Sequence, residues 1–153
     1  MTSNGHSPII LLGSRFLSPY IMVFGMYVIF HGHYSPGGGF QGGTLLAASL
    51  LLIRISGGRE LAAIQFKEYL TTPLAVIGIL IYFGVGLTAV IAGGYFLDYE
   101  MLPLPGVEGA DLRYWGILII ELGIGLTVMA ALVSIYDNMV LGEDFKPEGK
   151  DYA

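Results

Sequence analysis

From residue 69 to residue 97 the chain carries no charged side chain, and from 16 to 53 it carries none apart from His31 and His33, which can titrate. Uncharged runs of that length read as membrane spans, since a helix crossing the hydrocarbon core needs about 20 mostly apolar residues. With no water in that core to satisfy exposed backbone, helices are the expected form. An all-α integral membrane protein is therefore predicted. Composition agrees: 54% of the 153 residues are hydrophobic and 12% are charged, against about 25% charged in ordinary globular chains. A net charge of −5 without a Lys/Arg stripe argues against a nucleic-acid partner, and the hydrophobicity argues against a disordered chain. The absence of cysteine removes disulfides, thiolate zinc sites and Cys-ligated iron–sulfur clusters, so no cofactor is expected.

Four spans are predicted, at about 9–31, 40–55, 73–93 and 114–136, forming a single membrane domain over 1–153 with a tail at 137–153. Pro8 to Leu12 is apolar but lacks a basic flank and a small-residue cleavage site, so it is assigned to the first span and not to a signal peptide. The third span follows Pro73, a residue suited to a first helical turn. The fourth enters through Tyr114 and Trp115 and holds one interior charge, Glu121. The first two are shorter: fifteen uncharged residues separate Arg15 from His31, and fourteen run from Phe40 to Ile53. At 1.5 Å per residue these cover about 21 to 23 Å of a roughly 30 Å core. Snorkelling by Arg15 and Arg54 would extend them; alternatively the loop between them sinks below the interface, where protein or water must satisfy its backbone.

Arg15, Arg54, Arg59, Lys67, Lys146 and Lys150 fall on one side of this arrangement and only Arg113 on the other. The positive-inside rule then places both termini and the 54–72 connection in the cytoplasm, in the cell membrane. Residues 56–72 intersperse Leu61, Ile64 and Tyr69 among charges, so a short interfacial helix is expected between the second and third spans. The external connection from Gly93 to Arg113, with Asp98, Glu100, Glu108 and Asp111, reads as an acidic loop.

Several motifs invite a chemical reading. Gly37 to Gly42 satisfies G-x-G-x-x-G, but it follows a membrane helix and not the strand that a dinucleotide fingerprint requires. The same stretch has Gly43 where a phosphate-binding loop has lysine. His31 and His33 face nearly opposite ways on a helix, and no Cys, further His or carboxylate is near them in sequence, so no metal site is assigned. They are read as interfacial groups ending the helix or as protonatable groups at the mouth of an ion path. Gly38/Gly42 and Gly39/Gly43 are i, i+4 pairs that permit close helix contact in lipid. Glu121 lies about 10 Å below the aromatic entrance. A central acid costs about 2.5–3.5 kcal/mol on the insertion scale, so it must stay protonated, pair with a cation, face a hydrated cavity or hydrogen-bond a neighbouring helix.

The run His31-Gly32-His33-Tyr34-Ser35-Pro36-Gly37-Gly38-Gly39-Phe40-Gln41-Gly42-Gly43 closely resembles the G-H-x-x-P-G-G-G-F-x-G-G signature of the MrpB/MnhB-like family, which supplies one of the small subunits of multisubunit Na⁺/H⁺ antiporters. Chain length, the motif's place between the first two spans and an acid on the last helix also match. Family members often carry Asp in a D-x-G-V context, where this chain has Glu121-Leu122-Gly123-Ile124. The resemblance implies a small, non-catalytic membrane subunit that works with larger antiporter-like subunits to move Na⁺ and H⁺. Similar modules occur in energy-converting membrane hydrogenases and sulfur reductases. Glu121, His31 and His33 are then expected in the ion path, and Pro36, Gly37, Gly38, Gly39, Phe40, Gly42 and Gly43 at a subunit junction. A purely structural scaffold and a quinone- or lipid-binding membrane protein are the alternatives.

Overall fold

The computed structural model describes residues 7–34 and 37–144, without the side chains at 59, 60, 68 and 141–144. Pro36 and residues 145–153, with Lys146 and Lys150, lie outside them. Four long helices account for most of the chain: α1 (Pro8–Phe30), α2 (Gly39–Gln65), α3 (Thr71–Ile91) and α4 (Ala110–Asp144). No strand occurs among the described residues. Each helix is long and apolar enough to cross a membrane, α2 over Gly39–Gly58 and α4 over Ala110–Val140.

The first helix begins at Pro8, where a missing N–H costs nothing, so Arg15 is carried inside it and the short uncharged run gains two turns. The second runs beyond the expected end at 55. It breaks at Gly58, where φ of 72° is a conformation open to glycine, and a further helical stretch continues to Gln65 before a 3-10 turn at Glu68–Leu70. The fourth starts at Ala110 and passes the expected end at 136, so residues 137–144 extend the helix.

The helices pack in the order α1–α2–α4–α3. Half of the α2 span is buried against 17% for α1 and α3, which makes α2 and α4 the inner pair. Lipid tails are as apolar as Leu, so close packing and interhelical hydrogen bonds hold such helices together. Each seam shows this. Between α1 and α2, Gly25 meets the carbonyl of Gly42, and buried Ser18 donates to the carbonyl of Ser49 at 3.0 Å while accepting from Gln65 at 3.2 Å. Between α3 and α4, Gly78 fits against Gly123 and Thr127, whose hydroxyl donates across the seam to the Ala75 carbonyl at 3.4 Å and within its own helix to the Gly123 carbonyl at 2.9 Å. Between α2 and α4, Ala47, Leu50 and Val133 form a buried apolar cluster.

The end of that last seam corrects one expectation. Arg54 does not snorkel outward; it is 5% exposed and turns inward to Asp137 on α4. Its Nε donates to Oδ1 at 2.9 Å, and its Nη2 donates to Oδ2 at 3.4 Å and to the Phe66 carbonyl at 3.2 Å. An opposite charge one helix away offers the guanidinium more than a long reach to water, and the chain just past Gly58 is tied to α4 as a result. At the opposite end of the bundle the connection between α3 and α4 folds back as a cap. Leu102, Leu112 and Ala89 are buried beneath it, and Phe96 fills the notch over Gly86.

Candidate functional site: a caged carboxylate

The glycine motif and Glu121 are far apart in sequence and meet in space. α2 starts at Gly39 because the preceding loop ends there and the glycines let its first turn settle directly on α4. A side chain at Gly39 would overlap the carbonyl oxygen of Glu121, and one at Gly38 would stand 2.6 Å from its Oε1. At Gly32, in the turn after α1, it would collide with the carboxylate itself. Two backbone segments without side chains, the turn at Gly32 and the start of α2 at Gly38, thus close around one carboxyl group, while Gly39 rests on the main chain of the same residue. One turn further along, Gly43 lies 2.6 Å, measured from its absent Cβ, from the carbonyl of Gly125. That extends the same close seam.

Two features define the electrostatics. The Glu121 carboxyl sits beside the N-terminus of α2, which Gly38 caps without any side-chain hydrogen bond, so the positive end of that helix lies next to it. Its Oε2 is buried and has no hydrogen-bond partner among the described residues. The same is true of both ring nitrogens of His33. That ring packs edge-on against Tyr114 at 4.3 Å between centroids and against Tyr34 at 3.9 Å. Tyr114 precedes Glu121 by two turns of α4, so His33 and Glu121 line the same side of that helix. Beyond them, in the connection between α3 and α4, the Tyr99 phenol has its pKa pushed up, chiefly by burial and then by the nearby Tyr82 and Glu121.

The other expected residues separate. His31 ends α1, where its Nδ1 lies 3.1 Å from the Tyr27 carbonyl and its ring stacks on Tyr27 at 4.1 Å. It is exposed. Gly42 serves the α1 seam through Gly25 and Ile29, Gly37 is half-buried, and Phe40 points outward at 64% exposure. Sequence reading missed Gly32 as a wall of the cage, Tyr114 as the neighbour of His33, and Asp137 as the partner of Arg54. The last had a signal: an acid just past the fourth span and a base at the end of the second, on the same predicted side.

Residues 9–134, which include the whole cage, match a family described as a domain related to the MnhB subunit of Na⁺/H⁺ antiporter. The chain belongs to this family. An Na⁺/H⁺ antiporter subunit of Alkalihalophilus pseudofirmus is 28% identical over 127 residues, 78% of this chain and 87% of that protein. An uncharacterized protein of Methanocaldococcus jannaschii is 30% identical over 135 residues, 83% of this chain but 50% of its own length. Among solved structures, a chain of the membrane-bound sulfane sulfur reductase, an archaeal respiratory membrane complex, superposes with a TM-score of 0.68 at 34% identity, over 91% of this chain and 60% of that one. The chain therefore spans half to three-fifths of two of these larger relatives. Family membership and four apolar helices make it a multi-pass membrane protein.

Proposed function

We propose that the chain is a small, non-catalytic subunit of a multisubunit cation/proton antiporter, or of the antiporter module of a respiratory-type membrane complex, and that Glu121 lines its ion path. One observation carries this reading: a carboxyl group within a membrane span, with an oxygen that has no partner among the described residues, flanked by Gly32 and Gly38 at the N-terminus of α2. An acid that served only to join helices would direct both oxygens at donors, because an unsatisfied buried acceptor costs about 1–3 kcal/mol. Such a cage instead leaves an oxygen for a proton or a cation. His33 is the second member of the path, while His31 belongs to the helix end.

The family resemblance supports partner subunits that carry the rest of the route. So does the distance along α4: Glu121 and Asp137 are sixteen residues apart, about 24 Å, with the buried apolar Ala47, Leu50 and Val133 cluster between them. An ion reaching Glu121 does not continue down this seam and leaves sideways into a neighbour. Gly38, Gly39, Gly42 and Gly43 are occupied within the chain, and the exposed Phe40 is a described motif residue left to meet a neighbouring subunit. Both termini are assigned to the cytoplasm, with Gly58 to Gln65 as the interfacial stretch. Glu121→Gln preserves shape while deleting the charge. In membrane vesicles it should assemble normally yet lose most cation-dependent proton exchange, with Glu121→Asp keeping part of it. Full exchange by an assembled Glu121→Gln complex would move the assignment to a structural scaffold.

A further inference from the structure

A cavity of about 700 Å³ opens at the other end of the bundle from Glu121, where α2, α3 and α4 converge. Lys67, Tyr69, Thr72, Ser134, Asp137 and Asn138 line it. Its one described carboxylate, Asp137, has both oxygens on Arg54. Among the described side chains that line it, the Lys67 ammonium is thus the charge without an acidic partner, and it is held over the Tyr69 ring at 5.8 Å. The hydroxyls of Thr72 and Tyr69 and the N-terminus of α3, whose cap Leu70 contributes no side-chain bond, add polarity of the sort an anion seeks.

What sits next to the cavity names the class of anion. Thr72 is exposed, and in steps of three or four residues the same helix face presents Val76 at 48%, Leu80 at 60% and Phe83 at 54% exposure. A polar, cationic cup therefore continues directly into an apolar stripe running down a membrane span. A soluble anion would use the cup and ignore the stripe. Tyr69, 68% exposed at the rim, is a residue type favoured at the headgroup level. We propose that this cavity binds the phosphodiester headgroup of an anionic membrane lipid, with the acyl chains lying along Val76, Leu80 and Phe83. The Arg54–Asp137 pair is then the floor that keeps the cup from being acidic.

The test uses the full chain in a neutral detergent, titrated with phosphatidylglycerol or with zwitterionic phosphatidylcholine and read by native mass spectrometry. Phosphatidylglycerol should be retained at least five-fold better, Lys67→Gln should remove about that factor, and Lys67→Arg should keep it. Equal retention of the two lipids, or an unchanged Lys67→Gln, overturns the proposal. Release of phosphatidylglycerol by millimolar inorganic phosphate would make the cup a site for soluble anions instead. A photo-crosslinker at Thr72 in the assembled complex supplies an arm that does not depend on Lys67 variants. It should capture lipid, and capture of a subunit polypeptide would refute the lipid assignment.

Discussion

Gly39→Ala is expected to destabilise the chain, whereas Gly84→Ala, two helices away, is expected to stabilise it. The added methyl at 39 overlaps the carbonyl oxygen of Glu121 and stands 3.0 Å from that residue's carbonyl carbon and Cα. Carbon atoms rest about 3.5–4.0 Å apart, so α2 and α4 must separate by roughly 0.5–1 Å at this level. Both sides of the contact are helical backbone, and no side-chain rotation relieves it. A gap of that size forfeits a quarter to a half of the local dispersion energy, and it opens the adjoining Gly43–Gly125 contact as well. Overpacking of this kind costs about 1–3 kcal/mol. The propensity advantage of Ala, about 1 kcal/mol in a helix interior, is small at the first helical residue. At Gly84 nothing lies within 4 Å of the new methyl, and the advantage stands alone. Unfolding of the full chain in detergent can be followed through Trp115, the sole tryptophan, which enters α4 just above Glu121. A Gly39→Ala chain as stable as the parent would show that the close approach of the two helices is not what the glycine provides.

Removing Arg54 alone, as Arg54→Met, leaves the Asp137 carboxylate without its partner and should cost about 3–5 kcal/mol, while Arg54→Met with Asp137→Leu should recover most of that. The same unfolding assay decides, and a double variant as unstable as the single one refutes the pairing argument. Phenolate absorbance followed with alkali should show Tyr99 titrating above the ordinary phenol value, and Tyr99→Phe should remove that component. Because its folded-state pKa lies above the ordinary 10.0, its contribution to stability is intact below that pH and is lost as pH rises through the folded value. The parent should therefore lose stability more steeply than Tyr99→Phe in that alkaline window, and parallel curves would place the phenol in water.

The helices were legible in the sequence because the bilayer tolerates so few alternatives: a long, mostly apolar run has one way to satisfy its backbone there, even where, as in the first two spans, its uncharged part is shorter than twenty residues. Glu121 was legible for the same reason, since an acid inside such a run must have a compensating environment. The glycine motif announced close packing but not its direction. Tertiary structure directed Gly39 and Gly43 to α4 and Gly42 to α1, because neighbouring residues on a helix face about 100° apart and each face meets whichever helix the fold brings to it. Helical spacing also set His31 against His33 without saying which of them would turn towards α4. Only the packed bundle decided that His33 meets Tyr114 while His31 stacks on its own helix. Arg54 shows the limit most clearly. A base at the end of a span reads as a snorkelling side chain when its surroundings are taken to be lipid and water, and becomes an internal clamp once a second helix delivers Asp137 within 2.9 Å.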